Sequence, residues 1–164
     1  MPLVYIGLGS NIGERREYLV SAIGMIKERI SPELLYESSV IETKAVDYTE
    51  QRDFLNQVIL IKTQIPPETL LETLKEIEKT LGRVKRFDKG PREIDLDILL
   101  YDDLVMNNSS LVIPHPEIRN REFIIKHLVE LNPELRDPVT GENYSGLLIK
   151  DKLKTTGLSG IQSR

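Results

Sequence analysis

Apolar and polar positions fall into blocks along the chain, and the period of each block predicts an element. LVYIGL near the start is a short apolar run that enters the turn GSNIG; EYLVSAIGMIKERI follows, with Leu19, Ala22, Ile23, Ile26 and Ile30 at spacings of three and four. The pattern predicts a strand over Leu3 to Leu8, then a helix that starts near Glu14 and stops at Ser31-Pro32. LLYESSVIET and FLNQVILIKTQ are rich in β-branched and aromatic residues with no helical stretch between them, so they read as consecutive strands. PPETLLETLKEIEKTLG opens with prolines suited to a first helical turn and carries a stripe of Leu70, Leu74, Ile77 and Leu81. It ends at Gly82, where a C-cap glycine belongs, and the strand IDLDILLY comes next.

The order β-α-β-β-α-β predicts an α+β fold of the ferredoxin-like kind, a mainly antiparallel sheet with helices packed on it. It also decides a question raised by GLGSNIG. A strand, a glycine turn and a helix are the layout of a dinucleotide fingerprint, with Glu37 as a candidate ribose acid, but the third glycine, Gly13, comes one place late. Two strands in succession cannot be a βαβ crossover, so the dinucleotide reading fails. Gly7 and Gly9 then mark a bend where the backbone approaches a ligand or a neighbouring strand.

Composition narrows the class. At 164 residues and 40% hydrophobic the chain suits one domain over 1–164, with TTGLSGIQSR, about 155–164, as a mobile tail. The absence of cysteine removes disulfides and thiolate chemistry, and no apolar run is long enough to span a membrane or act as a signal peptide. The expected location is the cytoplasm. A net charge of −4 argues against nonspecific attachment to nucleic acid or acidic membranes, so any anion site must be local.

Two connections are longer than turns require. KAVDYTEQRD joins two strands, and RVKRFDKGPRE concentrates Arg83, Lys85, Arg86, Lys89 and Arg92 in an otherwise acidic protein. Five cations with few acids to pair predict a loop that is mobile until an anion arrives. Beside it stands Asp95-Leu96-Asp97, whose carboxylates leave one face of a strand roughly 6.6 Å apart at a rise of about 3.3 Å per residue. Ile94, Leu96, Ile98 and Leu100 form the opposite, apolar face. Carboxylates about 5 Å apart repel by ~3 kcal/mol at an effective dielectric near 20, and a hard divalent cation such as Mg2+ relieves this. Its shell is commonly completed by phosphates, which the basic loop also attracts, so the pair points to phosphoryl or nucleotidyl transfer. In IPHPEIRNREF, His115 is stiffened by two prolines and followed by Arg119 and Arg121, a further phosphate-binding candidate. His127, in FIIKHLVEL, reads as a core residue. There is no G-x-S-x-G elbow and no zinc-ligand spacing.

The stretches YIGLGSNIGER, DFLNQV, LGR with GPREIDLDILLYDD, and IPHPEIRNREFIIKHLVELNPEL together resemble the 6-hydroxymethyl-7,8-dihydropterin pyrophosphokinase family, in the family's order across most of the chain. The resemblance implies a monomer that moves pyrophosphate from ATP to 6-hydroxymethyl-7,8-dihydropterin in folate biosynthesis and releases AMP. It implies two magnesium ions on Asp95 and Asp97, and a catalytic set of Arg83, Arg92, Asp95 and Asp97. ATP falls to Arg83, Lys85, Arg92, His115 and Arg121, and the pterin to Thr43, Phe54, Asn56 and Phe123. Two places depart from the family pattern: Lys89 stands where a tryptophan is common, and Lys44-Ala45 where a proline pair is common. Two readings from other classes remain, a ferredoxin-like small-molecule regulatory module and a palm-like nucleotidyltransferase. The first would not need the acidic pair, and the second would need a broad basic stripe that is absent.

Overall fold

A computed structural model of the chain describes residues 1–44, 51–87 and 90–149. Most of the first long connection, Lys89 and the expected tail lie outside the described residues.

The central strand β1 (Leu3–Ser10) is the chain's first apolar run. Four further strands follow, β2 (Leu34–Glu37), β3 (Ile41–Thr43), β4 (Phe54–Lys62) and β5 (Asp95–Tyr101), and β1 pairs antiparallel with β4 on one side and β5 on the other. LLYESSVIET, expected as one strand, is two, because β2 and β3 pair with successive parts of β4 and the chain breaks at Ser38 between them. There the Ser38 hydroxyl accepts the Val58 N–H at 2.9 Å, so a side chain replaces the missing ladder bond. The order β2-β4-β1-β5, with β3 also on β4, is the ferredoxin-like arrangement expected from the element order. Gly7 and Gly9 correct one expectation: they lie within β1, paired on both sides, and not at a bend.

Helix α1 (Arg15–Ile30) buries the five residues of its stripe and ends with Ser31 in the left-handed region at φ 48°. Helix α2 (Pro67–Thr80) starts at the proline pair and ends before Gly82 at φ +96°, a value that favours glycine. Both helices cover the face made by Val4, Ile6, Leu8, Ile59, Leu96 and Ile98. A register shift between Tyr5 and Ile6 pairs them with Leu100 and Ile98, leaving Leu99 as an extra residue in β5. Leu100, expected on the face of Leu96 and Ile98, is thereby carried to the opposite face, a consequence no period-two reading contains.

That opposite face carries a second core, which the sequence reading of two helices on one sheet did not anticipate. Tyr5, Val58 and Leu99 pack there against Ile125 and Leu128 of a third helix, α3 (Glu122–Leu131), and against Tyr144, which opens a further helical segment over 144–149. A small hairpin, β6 (Met106–Asn107) with β7 (Val112–Ile113), leads from β5 towards α3. The N-terminal turn of α3 reaches the rim of an uncovered stretch of sheet, where the functional side chains gather.

His127 is 2% exposed on α3, and neither ring nitrogen has a partner among the described residues. Burial therefore holds its pKa below the usual 6.5. The unfolded chain takes up the proton first, so stability is retained above about pH 6.5 and falls as the pH drops towards the folded-state value. The slope from this one group is at most about 1.4 kcal/mol per pH unit. Urea midpoints measured between about pH 7.5 and 5 should show this loss, and His127→Leu should flatten it; an unchanged acid slope in that variant would assign the loss elsewhere.

Candidate active site

The uncovered stretch forms the floor of a cleft of about 730 Å³, a volume in the range of small-molecule sites. Its floor follows from strand register. Gly9 pairs with Asn56 on β4 and with Asp95 on β5, and Gly7 pairs with Asp97, so an amide, two glycines and two carboxylates share one face. A Cβ at Gly9 would stand 3.4 Å from Asn56 Oδ1 and 3.6 Å from Phe54 Cδ1. A methyl group would just fit, whereas any larger side chain would fill the space between amide and carboxylates. Neither glycine has positive φ, so the demand for glycine in GLGSNIG is one of space.

One of the two carboxylates is paired with arginine. Arg83 Nη1 lies 3.0 Å from Asp95 Oδ1 and 3.0 Å from Glu78 Oε1, and Arg92 Nη1 lies 3.0 Å from Asp95 Oδ2. Burial works against charge on Asp95, but Arg92 and then Arg83 outweigh it and hold the carboxyl below its usual range. Asp97 sits in the opposite situation. Burial, and next the Asp95 charge within hydrogen-bonding reach, push its carboxyl well above the usual range. Asp95, expected to be uncompensated, is thus compensated twice by guanidinium, and the cost of burial and of like charge falls on Asp97.

The basic loop is also better paired than its composition implied. Arg86 makes a two-pronged contact with Glu93 at 2.8 and 2.7 Å, and that hydrogen bonding, against a smaller cost of burial, holds the Glu93 carboxyl well below its usual range. With Arg83 and Arg92 on Asp95, three of the expected five cations have carboxylate partners, which corrects the expectation of unpaired cations. Lys85 reaches the cleft wall with no ion pair among the described residues, and Lys89 lies outside them.

The remaining expected site residues divide. Thr43, Phe54, Asn56, His115, Arg121 and Phe123 all border the cleft. Asn56 Nδ2 donates to Thr43 Oγ1 at 2.6 Å, which fixes the amide and ties β3 to the floor. The Arg92 guanidinium lies 5.5 Å from the centroid of the Phe54 ring, a cation–π contact that links the basic loop to the aromatic wall. His115 Nδ1 accepts the Glu117 N–H at 3.1 Å, which assigns the proton of the neutral ring to Nε2. Arg121 Nε lies 3.3 Å from Glu117 Oε2. Arg119 does not join them: it bonds Asp137 at 2.9 Å, Thr140 at 3.0 Å and Glu142 at 2.9 Å, closing the C-terminal turn. Proximity to His115 in sequence was misleading because the turn over 116–120 sends the two arginines different ways.

Glu78 was missed. It is 7% exposed and accepts the Leu96 N–H at 2.7 Å, so it anchors β5 to α2 while holding Arg83. Its signal was present: an acid four residues after Leu74 and three before Leu81 lies on the apolar stripe itself. Burial, opposed by the Leu96 hydrogen bond, raises its pKa.

Comparison with known proteins gives this cleft its relatives. The family model of 7,8-dihydro-6-hydroxymethylpterin-pyrophosphokinase (HPPK) matches residues 5–133. The 2-amino-4-hydroxy-6-hydroxymethyldihydropteridine pyrophosphokinase of Aquifex aeolicus is 43% identical over 139 residues, 85% of this chain and 86% of that protein. Its counterpart in Bacillus subtilis is 38% identical over 138 residues, 84% and 83% of the two chains. Among solved structures, the HPPK-DHPS of Plasmodium falciparum superposes with a TM-score of 0.71 at 16% identity, covering 94% of this chain and 43% of that longer one. At that identity the likeness speaks for the fold alone, whereas the sequence matches span both the glycine strand and the acidic strand of the cleft. The chain therefore belongs to the 7,8-dihydro-6-hydroxymethylpterin-pyrophosphokinase family.

Proposed function

We propose that the cleft transfers the pyrophosphoryl group of ATP to the hydroxymethyl oxygen of 6-hydroxymethyl-7,8-dihydropterin in folate biosynthesis. The observation that carries this reading is the single row across the sheet from Asn56 through Gly9 to Asp95, with an amide and an aromatic ring at one end and carboxylates with two arginines at the other. The flat heterocycle lies against Phe54, with Phe123 on the rim and the polar ring edge paired to Asn56, while Thr43 holds that amide. The triphosphate lies along the basic loop, met by Arg83, Lys85, Arg92, His115 Nε2 and Arg121. The hydroxymethyl oxygen attacks the β-phosphorus, the bond from that phosphorus to the α,β-bridging oxygen breaks, and AMP leaves with that oxygen. The proton of the alcohol passes to water. Arg83 and Arg92 meet the charge that develops on the phosphoryl oxygens, and to do so they exchange Asp95 for phosphate.

Asp95 and Asp97 fit a hard divalent cation such as Mg2+, since they offer only oxygen donors and since like-charge strain at Asp97 is what a cation relieves. Two such ions on this pair would supply Lewis-acid charge at the transferring group. The monomer is the state that the family resemblance implies. No helix among the described residues is long and apolar enough to cross a membrane, and with ATP as co-substrate the cytoplasm is the compartment we infer.

The test is AMP release from ATP with and without the hydroxymethyl pterin and Mg2+. Release that needs both supports the reading; release without pterin indicates a different acceptor, and binding of either ligand without turnover indicates a regulatory module. Asn56→Leu tests the pterin end. It should weaken pterin binding by roughly 10- to 100-fold, about 1.4 to 2.8 kcal/mol, with ATP affinity nearly unchanged. Calorimetric titration of both ligands checks this, and an equal loss for ATP and pterin would make Asn56 a support of the fold.

A further inference from the structure

We infer that Arg83 and Arg92 block the acidic pair: by holding both oxygens of Asp95 they keep a divalent cation from it until the phosphates of a nucleotide draw the two guanidiniums away. The inference deepens the proposed function and rests on it. Asp95 Oδ1 accepts from Arg83 Nη1 and Asp95 Oδ2 from Arg92 Nη1, each at 3.0 Å, so both oxygens carry a cationic donor. All three side chains are partly buried, which leaves little water to screen the contacts. A hard divalent cation takes carboxylate oxygens at about 2.1 Å and brings a double charge. At Asp95 it meets two positive charges on the same oxygens, and like charges repel more strongly where water is excluded. Arginines and cation therefore compete for one carboxylate.

Each arginine has a second hold, so it can leave Asp95 without passing into solvent. Arg83 Nη1 also lies 3.0 Å from Glu78 Oε1, and Glu78 is fixed in turn by the Leu96 N–H at 2.7 Å. Arg92 Nε donates to the Gly90 carbonyl at 3.2 Å, and its guanidinium lies 5.5 Å from the Phe54 centroid. With these anchors kept, a move from Asp95 to phosphate exchanges one anion for another and strands neither charge. Nucleotide on the arginines and cation on the acids then favour each other, and by linkage each does so by the same factor. Removing an arginine by substitution should free the carboxylate as the nucleotide does.

The experiment measures Mn2+ binding to the protein without nucleotide, by electron paramagnetic resonance of the free ion, and locates the ion by its broadening of the amide signals of Asp95, Leu96 and Asp97. Arg83→Ala and Arg92→Ala should each bind Mn2+ at this strand about tenfold or more tightly than the unmodified protein, although both turn over more slowly. Arg92→Ala decides the matter if Arg83→Ala, which leaves Glu78 buried without its cation, does not fold. Lys85→Ala removes a cation of the cleft wall that has no ion pair among the described residues. It should change the Mn2+ affinity by less than about twofold, which separates occupation of Asp95 from a general fall in positive charge. Equal affinity in the unmodified protein and Arg92→Ala, a gain in Lys85→Ala as large as in Arg92→Ala, or no binding at the strand in any of these proteins would each overturn the inference. None of those results touches the proposed function, which stands or falls separately on AMP release that needs both pterin and Mg2+.

Discussion

Asp97→Ala should lower the turnover number by about 10³-fold or more while leaving the protein at least as resistant to urea. The two halves of this result have separate causes. Transfer fails because one of the two carboxylates offered to a divalent cation is gone. Stability holds or rises because Asp97 is the strained member of the pair, buried beside Asp95 with its carboxyl pushed well up by that burial and that charge. Asp95→Ala should be equally inactive but less stable, by about 1 to 3 kcal/mol, since both Arg83 and Arg92 then lose their shared partner. Steady-state turnover and urea midpoints on the two variants decide this. Full activity in either, or wild-type activity in excess chelator, would sink the metal reading; equal destabilisation would mean that the arginines do not discriminate between the acids.

Arg92→Ala should slow the chemical step by roughly 10²- to 10³-fold and weaken pterin binding by less than about tenfold. The guanidinium already stands beside Asp95 and lies over Phe54, so it is at the site before substrate arrives and has only to exchange Asp95 for phosphate as charge develops. Its loss removes that positioned charge but leaves Asn56 and Thr43, the polar contacts of the pterin end, in place. Single-turnover quench measurements give the chemical step, and calorimetry gives pterin affinity. If affinity and rate fell together, Arg92 would be acting by holding the Phe54 ring and not by meeting phosphoryl charge. Arg83→Ala should show a similar rate loss with a further structural cost, because Glu78 would be left buried without its cation.

Strand and helix periods determined much of this protein by themselves. The stripes of α1 and α2, the glycine that ends α2 and the order of elements from β1 to β5, apart from the split of one expected strand into β2 and β3, are local, so three- and four-residue spacings and alternation were enough to predict them. The D-x-D pair was legible for the same reason, since alternation alone puts Asp95 and Asp97 on one face. Family resemblance, carried by motifs spread over most of the chain, named the cleft residues and the reaction class. Tertiary structure decided the rest, because the remaining facts depend on which strand lies beside which. Only the register of β1 against β4 and β5 brings Gly9 between Asn56 and Asp95, and only that neighbourhood turns two glycines into an open floor. The register shift at Leu99 moved Leu100 to the other core, and the second core itself depends on α3 folding back across the sheet. Charge pairing was the least legible property. A list of cations in RVKRFDKGPRE cannot say that Arg86 finds Glu93, that Arg83 and Arg92 converge on one carboxylate, or that Arg119 turns away to Asp137, because electrostatic energy follows distance and burial, and both are set by the fold.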